Sequence, residues 1–143
     1  MKKARVNAVG GIFFRCANPA ATRKWYSDHL GLNTDAYGTS FQWYKSDGSK
    51  GFTAWNPSGT DAEYFGDPEQ QFMVNYRVDD LELMLEQMAS AGIFPLDEVA
   101  IFEYGKFVHV LDPDGRRIEL WEPNDRAYDQ MIVARSGEDE PDS

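Results

Sequence analysis

Two histidines occur in the 143-residue sequence, and one of them, His109, stands opposite a carboxylate. Segments 106–111 and 117–121 read as the two strands of a hairpin around Asp112-Pro113-Asp114-Gly115, a strong turn signal. In that register His109 sits beside Glu119, and both face the same way. Such a pair can be a general base with its orienting partner, two ligands of a nonstandard metal site, or a hydrogen-bonded pair that only shapes a pocket. His109 and Glu119 are therefore the candidate catalytic residues. Arg15 and Arg77 lie on neighbouring strand segments, where each could bind a carboxylate or phosphate bidentately. Each could equally pair with Asp79, Asp80 or Glu122. Phe13, Asn75, Phe107 and Trp121 complete the candidate substrate surface, with Asn75 as an orienting amide. Trp43, Trp55 and Trp121 can stack on a planar or cationic ligand or fill a core. His29, at a helix end, reads as a dipole partner, and Cys16 as an inert core thiol.

The elements that must position these groups follow from local pattern. Residues 8–16 read as a buried strand, and Asn18-Pro19 opens a helix that Gly31 stops near Leu30. Strands are expected at about 32–37, 40–45 and 51–56, separated by Tyr37-Gly38 and Asp47-Gly48. After a linker at 57–70, rich in Gly, Pro and acids, Phe72–Val78 alternates as a strand. Asp79 and Glu82 form a capping-box pair for a helix through Ala91, ended by Gly92 and carrying the apolar stripe Leu81, Leu85, Met88. Strands near 98–103, 106–111 and 117–121 complete the series. The stretch from about Ser136 has a disordered composition.

The halves also match residue by residue. Gly11-Ile12-Phe13-Phe14-Arg15 overlies Met73-Val74-Asn75-Tyr76-Arg77, and Phe52-Thr53-Ala54-Trp55-Asn56-Pro57 overlies Ile118-Glu119-Leu120-Trp121-Glu122-Pro123. Two matches at similar offsets, in the order of the elements, indicate a tandem βαβββ duplication over repeats 8–57 and 71–123. Residues 124–143 form a C-terminal extension. Two such units leave a sheet face uncovered, and pairing them makes a cup, the natural ligand site. Strand alternation then puts Ile12, Phe14 and Cys16 under a helix and Gly11, Phe13 and Arg15 in the cup. It likewise sends Met73, Asn75 and Arg77, Arg117, Glu119 and Trp121, and Phe107 and His109 inward. The expected class is α+β, a cupped mixed sheet of two tandem βαβββ modules.

Trp25-Tyr26-Ser27-Asp28-His29-Leu30-Gly31, Val78-Asp79-Asp80-Leu81 with Gly92, and Asp112-Pro113-Asp114-Gly115-Arg116-Arg117-Ile118-Glu119-Leu120 resemble the vicinal oxygen chelate superfamily. That superfamily holds glyoxalase I, extradiol dioxygenases and the fosfomycin- and bleomycin-resistance proteins. The resemblance covers about residues 8–123 and implies a single glyoxalase-like domain. It also implies a divalent metal held from four strand positions. Carried over one at a time, these fall on Gly11, which has no side chain, on Thr53, on Met73 and on Glu119. Only Glu119 matches, so no cofactor is expected, with a nonstandard divalent metal using Glu119 left open. The resemblance further implies a homodimer.

Composition bounds the function. Hydrophobic residues make up 42% and charged residues 27% of a chain carrying a net charge of −10, which suits one globular domain. Four acids lie in the last eight residues, leaving −6 on the remainder. An acidic body disfavours nucleic-acid binding. No apolar run approaches the ~20 residues a membrane span needs. No basic stretch leads into an apolar one, and a single cysteine fits a reducing compartment, so a cytoplasmic location is expected. No nucleotide-binding glycine loop, nucleophile elbow or H-E-x-x-H motif occurs. Two readings remain. The first is an enzyme of lyase or isomerase type on a small oxygenated molecule, with His109 and Glu119 moving or steering a proton. The second is a binder that sequesters a small molecule without turnover, as bleomycin-resistance proteins do. True glyoxalase I activity conflicts with the vacant ligand positions.

Overall fold

Val6–Cys16 form the first strand, β1, in a computed structural model that describes residues 3–138. The chain continues through α1 (Pro19–Leu30), β2 (Thr39–Tyr44), β3 (Lys50–Gly59), β4 (Phe72–Val78) and α2 (Leu81–Ser90). It ends with β5 (Ala100–Phe102), β6 (Gly105–Leu111), β7 (Arg117–Pro123) and α3 (Asp125–Glu138). The seven strands form one sheet in the order β2-β3-β1-β4-β7-β6-β5. β1 runs parallel to β3 and β4 parallel to β7, while β1 and β4 join the halves antiparallel. The α+β class and the two-module plan are those expected from the sequence.

Both helix starts have a chemical cause. Asn18 accepts a hydrogen bond from Ala21 N–H, Pro19 occupies the first turn, and Gly31 closes α1 in the left-handed region at φ 72°. α2 is capped one residue later than expected. Asp80 accepts from Leu83 N–H, whereas Asp79 accepts from Arg5 N–H. Below α2, Leu81 with partly buried Met84, Leu85 and Met88 meets Val78, Val108, Val110 and Leu120 of β4, β6 and β7. This core turns Asn75, His109 and Glu119 to the opposite, concave face.

Three departures from the sequence reading matter to the site. Residues 32–37 are not a strand, so the first module is βαββ and the sheet has seven strands rather than eight. There the Asp35 carboxylate accepts from the N–H groups of Tyr37 and Gly38, and Asp35 N–H reaches Gly38 O. The resulting turn takes the backbone groups a strand would need. Residues 57–70 are more than a linker. β3 runs on to Gly59, and a 3-10 turn at Glu63–Phe65 buries Phe65 completely. The extension after residue 123 begins with α3, whose last turn includes the Ser136–Glu138 stretch expected to be disordered. Residues 139–143 lie outside the described part.

Candidate functional site

One row of residues crosses six strands: Ser40 pairs with Ala54, Ala54 with Gly11, Gly11 with Asn75, Asn75 with Glu119, and Glu119 with His109. At its second-module end the side chains connect. Asn75 Nδ2 donates to Glu119 Oε1 at 2.6 Å. His109 Nε2 lies 3.0 Å from Glu119 Oε2, in ion-pair contact but off the line of a hydrogen bond. On the other side of the ring, Nδ1 is 2.7 Å from Asp97 Oδ2, and the same carboxylate accepts from His109 N–H at 2.9 Å. The result is a chain, Asp97–His109–Glu119–Asn75, that runs inward from a half-exposed carboxylate.

Electrostatics define its resting state. Burial penalises the charged form of His109, but the close Glu119 carboxylate, the hydrogen bond to Asp97 and the charges of both outweigh it and raise its pKa above the ordinary imidazole value. Burial works against ionised Asp97 as well. The hydrogen bonds from the His109 ring and backbone overcome it and hold Asp97 below the usual carboxylate range. An imidazolium held between two carboxylates can deliver a proton, and Glu119 can accept one. The His109 and Glu119 side chains each keep 13% exposure.

Asn75 contributes a second feature. It is 1% exposed, and its Oδ1 has no hydrogen-bond partner among the described residues. That oxygen presses on β1, where a Cβ at Gly10 would lie 2.3 Å from it, 2.8 Å from Arg77 Cγ and 2.9 Å from Trp121 Cε3. Since Asn75, Arg77 and Trp121 are all within 2% of full burial, none can move aside. Gly10→Ala should therefore destabilise the fold by about 1–3 kcal/mol, the usual range for overpacking. Urea unfolding measures this, and an unchanged midpoint would contradict the close approach.

The other candidate residues have mostly intramolecular partners. Arg15 sits over the Phe65 ring and donates to the carbonyls of Thr60, Asp67 and Gln70. It clamps the 60–70 segment over one end of the cup instead of presenting a guanidinium to an anion. Arg77, 2% exposed, makes two hydrogen bonds to Asp125 of α3 at 2.9 and 2.5 Å. Its guanidinium lies between the rings of Trp43 and Trp121, so neither Arg77 nor these two rings are free for a ligand. Trp121 stacks on Phe107 and donates to Tyr104 O, and Tyr128 of α3 packs on Trp121 and Phe52. Phe13 packs edge-on to Tyr64, whose phenol hydrogen-bonds Ser58. Trp55 packs against Phe14 and Tyr26 on the α1 side. Met73 is a buried core residue.

The four-ligand metal centre does not fit this donor set. Gly10 and Gly11 offer no side chain, and nothing larger fits at Gly10. Thr53 Oγ1 donates to Val9 O and accepts from Trp43 Nε1. The Met73 thioether is a soft donor, which leaves Glu119 alone among the four positions. Among the described residues no group of three or more His, Cys, Asp or Glu side chains is arranged to hold a metal ion.

Asp97 and Asp125 were not singled out in the sequence. Asp97 precedes β5 with no distinguishing pattern, and only the fold brings residues 96–97 onto β6, where Leu96 N–H reaches His109 O. Asp125 did carry a signal, because Asn124 caps α3 through Ala127 N–H much as Asn18 caps α1. A cavity of about 570 Å³ lies elsewhere, between α3 and the outer part of the first module. It contains no histidine, so the chemistry is assigned to the buried titratable chain.

Comparison with known proteins bears on the fold. Residues 8–120 match the profile of the Glyoxalase/Bleomycin resistance protein/Dioxygenase superfamily. No curated protein matches the sequence. The structure is similar to methylmalonyl-CoA epimerase of Streptomyces coelicolor in complex with 2-nitronate-propionyl-CoA. That match has a TM-score of 0.60 and 14% identity, covering 84% of this chain and 99% of that one. It is also similar to methylmalonyl-CoA epimerase of Mycobacterium tuberculosis, with a TM-score of 0.57 and 18% identity over 87% of this chain and 93% of that one. At these identities the likeness establishes the fold alone. Among the described residues no helix is long and apolar enough to cross a membrane.

Proposed function

Because the chain belongs to the Glyoxalase/Bleomycin resistance protein/Dioxygenase superfamily, a scaffold that hosts many chemistries, its own site must decide between them. We propose that it is an isomerase- or lyase-type enzyme that moves a proton on a small oxygenated substrate without the family's usual metal centre. The observation that carries this reading is the Asp97–His109–Glu119–Asn75 chain. Glu119 removes a proton from carbon next to a carbonyl. The C–H electron pair moves into the carbon–carbon bond as the carbonyl becomes an enolate, and the His109 imidazolium N–H stabilises the oxygen. Return of the proton to carbon completes an isomerisation, and departure of a β-substituent completes an elimination. Asp97 fixes the ring by gripping both its nitrogen and its backbone N–H. Asn75 fixes the carboxylate.

Rate should follow the same protonation states. It should fall as pH rises through the elevated pKa of His109, because the imidazolium is then lost. Incubation in D2O with a panel of small 2-oxo acids, 3-oxo acids and hydroxyketones, followed by proton NMR, tests the reading directly. Deuterium should enter at the carbon next to the carbonyl of at least one compound, and His109→Ala should abolish the exchange. Exchange unchanged in that variant would remove His109 from the mechanism. The sequestering alternative loses one support, since the rings that would stack on a planar cation are already covered by Arg77 and α3. The homodimer expected from the resemblance remains part of the proposal. Light scattering should give a two-chain particle, and a one-chain mass would remove it.

A further inference from the structure

With Arg15 and Arg77 both committed internally, the fold still presents one guanidinium at the wall of a built cavity. That residue is Arg135, on the last turns of α3. The cavity of about 570 Å³ is closed by α3 on one side and by α1, the 33–39 loop, β2 and β3 on the others. This volume falls within the ~300–1,000 Å³ typical of small-molecule sites. The Arg135 guanidinium lies over the Tyr37 ring at 4.8 Å, and its buried Nε has no hydrogen-bond partner among the described residues. The two carboxylates of the lining are already engaged. Asp35 accepts from two backbone N–H groups, and Asp129 pairs with Lys50 at 3.1 Å. The rest of the wall is rich in short hydroxyls and amides, including Ser27, Thr34, Asn33 and Asn56, above a floor of buried Phe52.

We propose that this cavity is a binding site for a small hydroxylated carboxylate, with Arg135 as the counter-ion and the hydroxyl and amide groups meeting the ligand's hydroxyls. A guanidinium whose Nε lacks a partner among the described residues matches a carboxylate in charge and in its planar fork. The short hydroxyls and amides of the wall match a ligand's hydroxyls. None of the lining residues belongs to the Asp97–His109–Glu119–Asn75 chain, so the site stands independently of the proton-transfer reading.

Saturation-transfer NMR on the full chain with gluconate, glucose and butyrate tests it. Gluconate should show saturable binding, at least tenfold tighter than glucose, which lacks the carboxylate, and than butyrate, which lacks the hydroxyls. Arg135→Gln should weaken gluconate at least tenfold. Ser27→Trp, placed at an exposed helix position on the rim, should block it without touching α3. Glu119→Gln should leave it unchanged. Absent gluconate binding, equal binding of glucose or butyrate, or undiminished binding in either cavity variant would overturn the proposal. Loss of binding in Glu119→Gln would place the ligand at the proton-transfer site and overturn it equally.

Discussion

Glu119→Gln should lower deuterium exchange by about 10²–10⁴-fold, the range contributed by a positioned acid or base, while leaving the fold intact. The glutamine retains a carbonyl oxygen that can accept from Asn75 Nδ2 as Glu119 Oε1 does at 2.6 Å. It cannot accept a proton from carbon. Its amide nitrogen would also face His109 Nε2 in place of the oxygen now 3.0 Å away. Two donors cannot share that contact, so the imidazole must give up its proton or turn. One substitution therefore removes the base and discharges the acid, which is why its effect should exceed that of Asp97→Asn. In Asp97→Asn the ring loses one of its two carboxylates, Glu119 remains, and a partial loss with a downward-shifted pH profile is expected. Unchanged exchange in Glu119→Gln, with circular dichroism unaltered, would remove the carboxylate from the reaction.

Asp125→Ala should be the most costly polar substitution for stability, at about 3 kcal/mol, because it leaves the Arg77 charge buried and unpaired. Arg77 is 2% exposed, and what remains to it is the Phe52 carbonyl at 3.3 Å and the two indole rings. Lys45, 2.7 Å from the same carboxylate, loses its partner too. For a chain of this size the melting temperature should fall by about 6–12 °C. Burial disfavours ionised Asp125, but hydrogen bonds from Arg77 and Lys45 outweigh it and hold its pKa down. A depressed carboxyl contributes stability that is fully present above its unfolded value of about 3.9 and disappears as pH falls through the folded value. The difference between wild type and variant should therefore narrow below about pH 4. A constant difference from pH 7 to pH 2 would contradict the ion pair.

Locally encoded features were the most legible. The His109–Glu119 pairing follows from a short hairpin whose turn chemistry sets its register, and register sets which side chains share a face. The inner core under α2 follows from helical spacing in the same way. Residues 32–37 misled because Leu32, Thr34 and Ala36 alternate as a strand would, while the Asp35 side chain claims two backbone N–H groups and makes a turn. Arg77 misled for a longer-range reason. Strand alternation correctly sent it into the cup, but its partner Asp125 lies outside the repeated unit and reaches it only when α3 folds back. The helix itself could have been read from Asn124 as a cap and from Tyr128, Met131, Ile132 and Arg135 at helical spacing. Asp97 could not, because nothing near it in sequence shows that its segment returns to β6.

The charged state of His109 is the central claim, and a proton–nitrogen NMR titration of its imidazole tests it without any substrate. The structure predicts a midpoint above the ordinary value of about 6.5. The midpoint should drop in Asp97→Asn and further in Glu119→Gln. Because the folded value is raised, His109 should add stability that is complete below about pH 6.5 and lost as pH rises through that midpoint. A wild-type midpoint at or below 6.5, unmoved in both variants, would mean that burial prevails over the two carboxylates, and the proton-transfer account would fail.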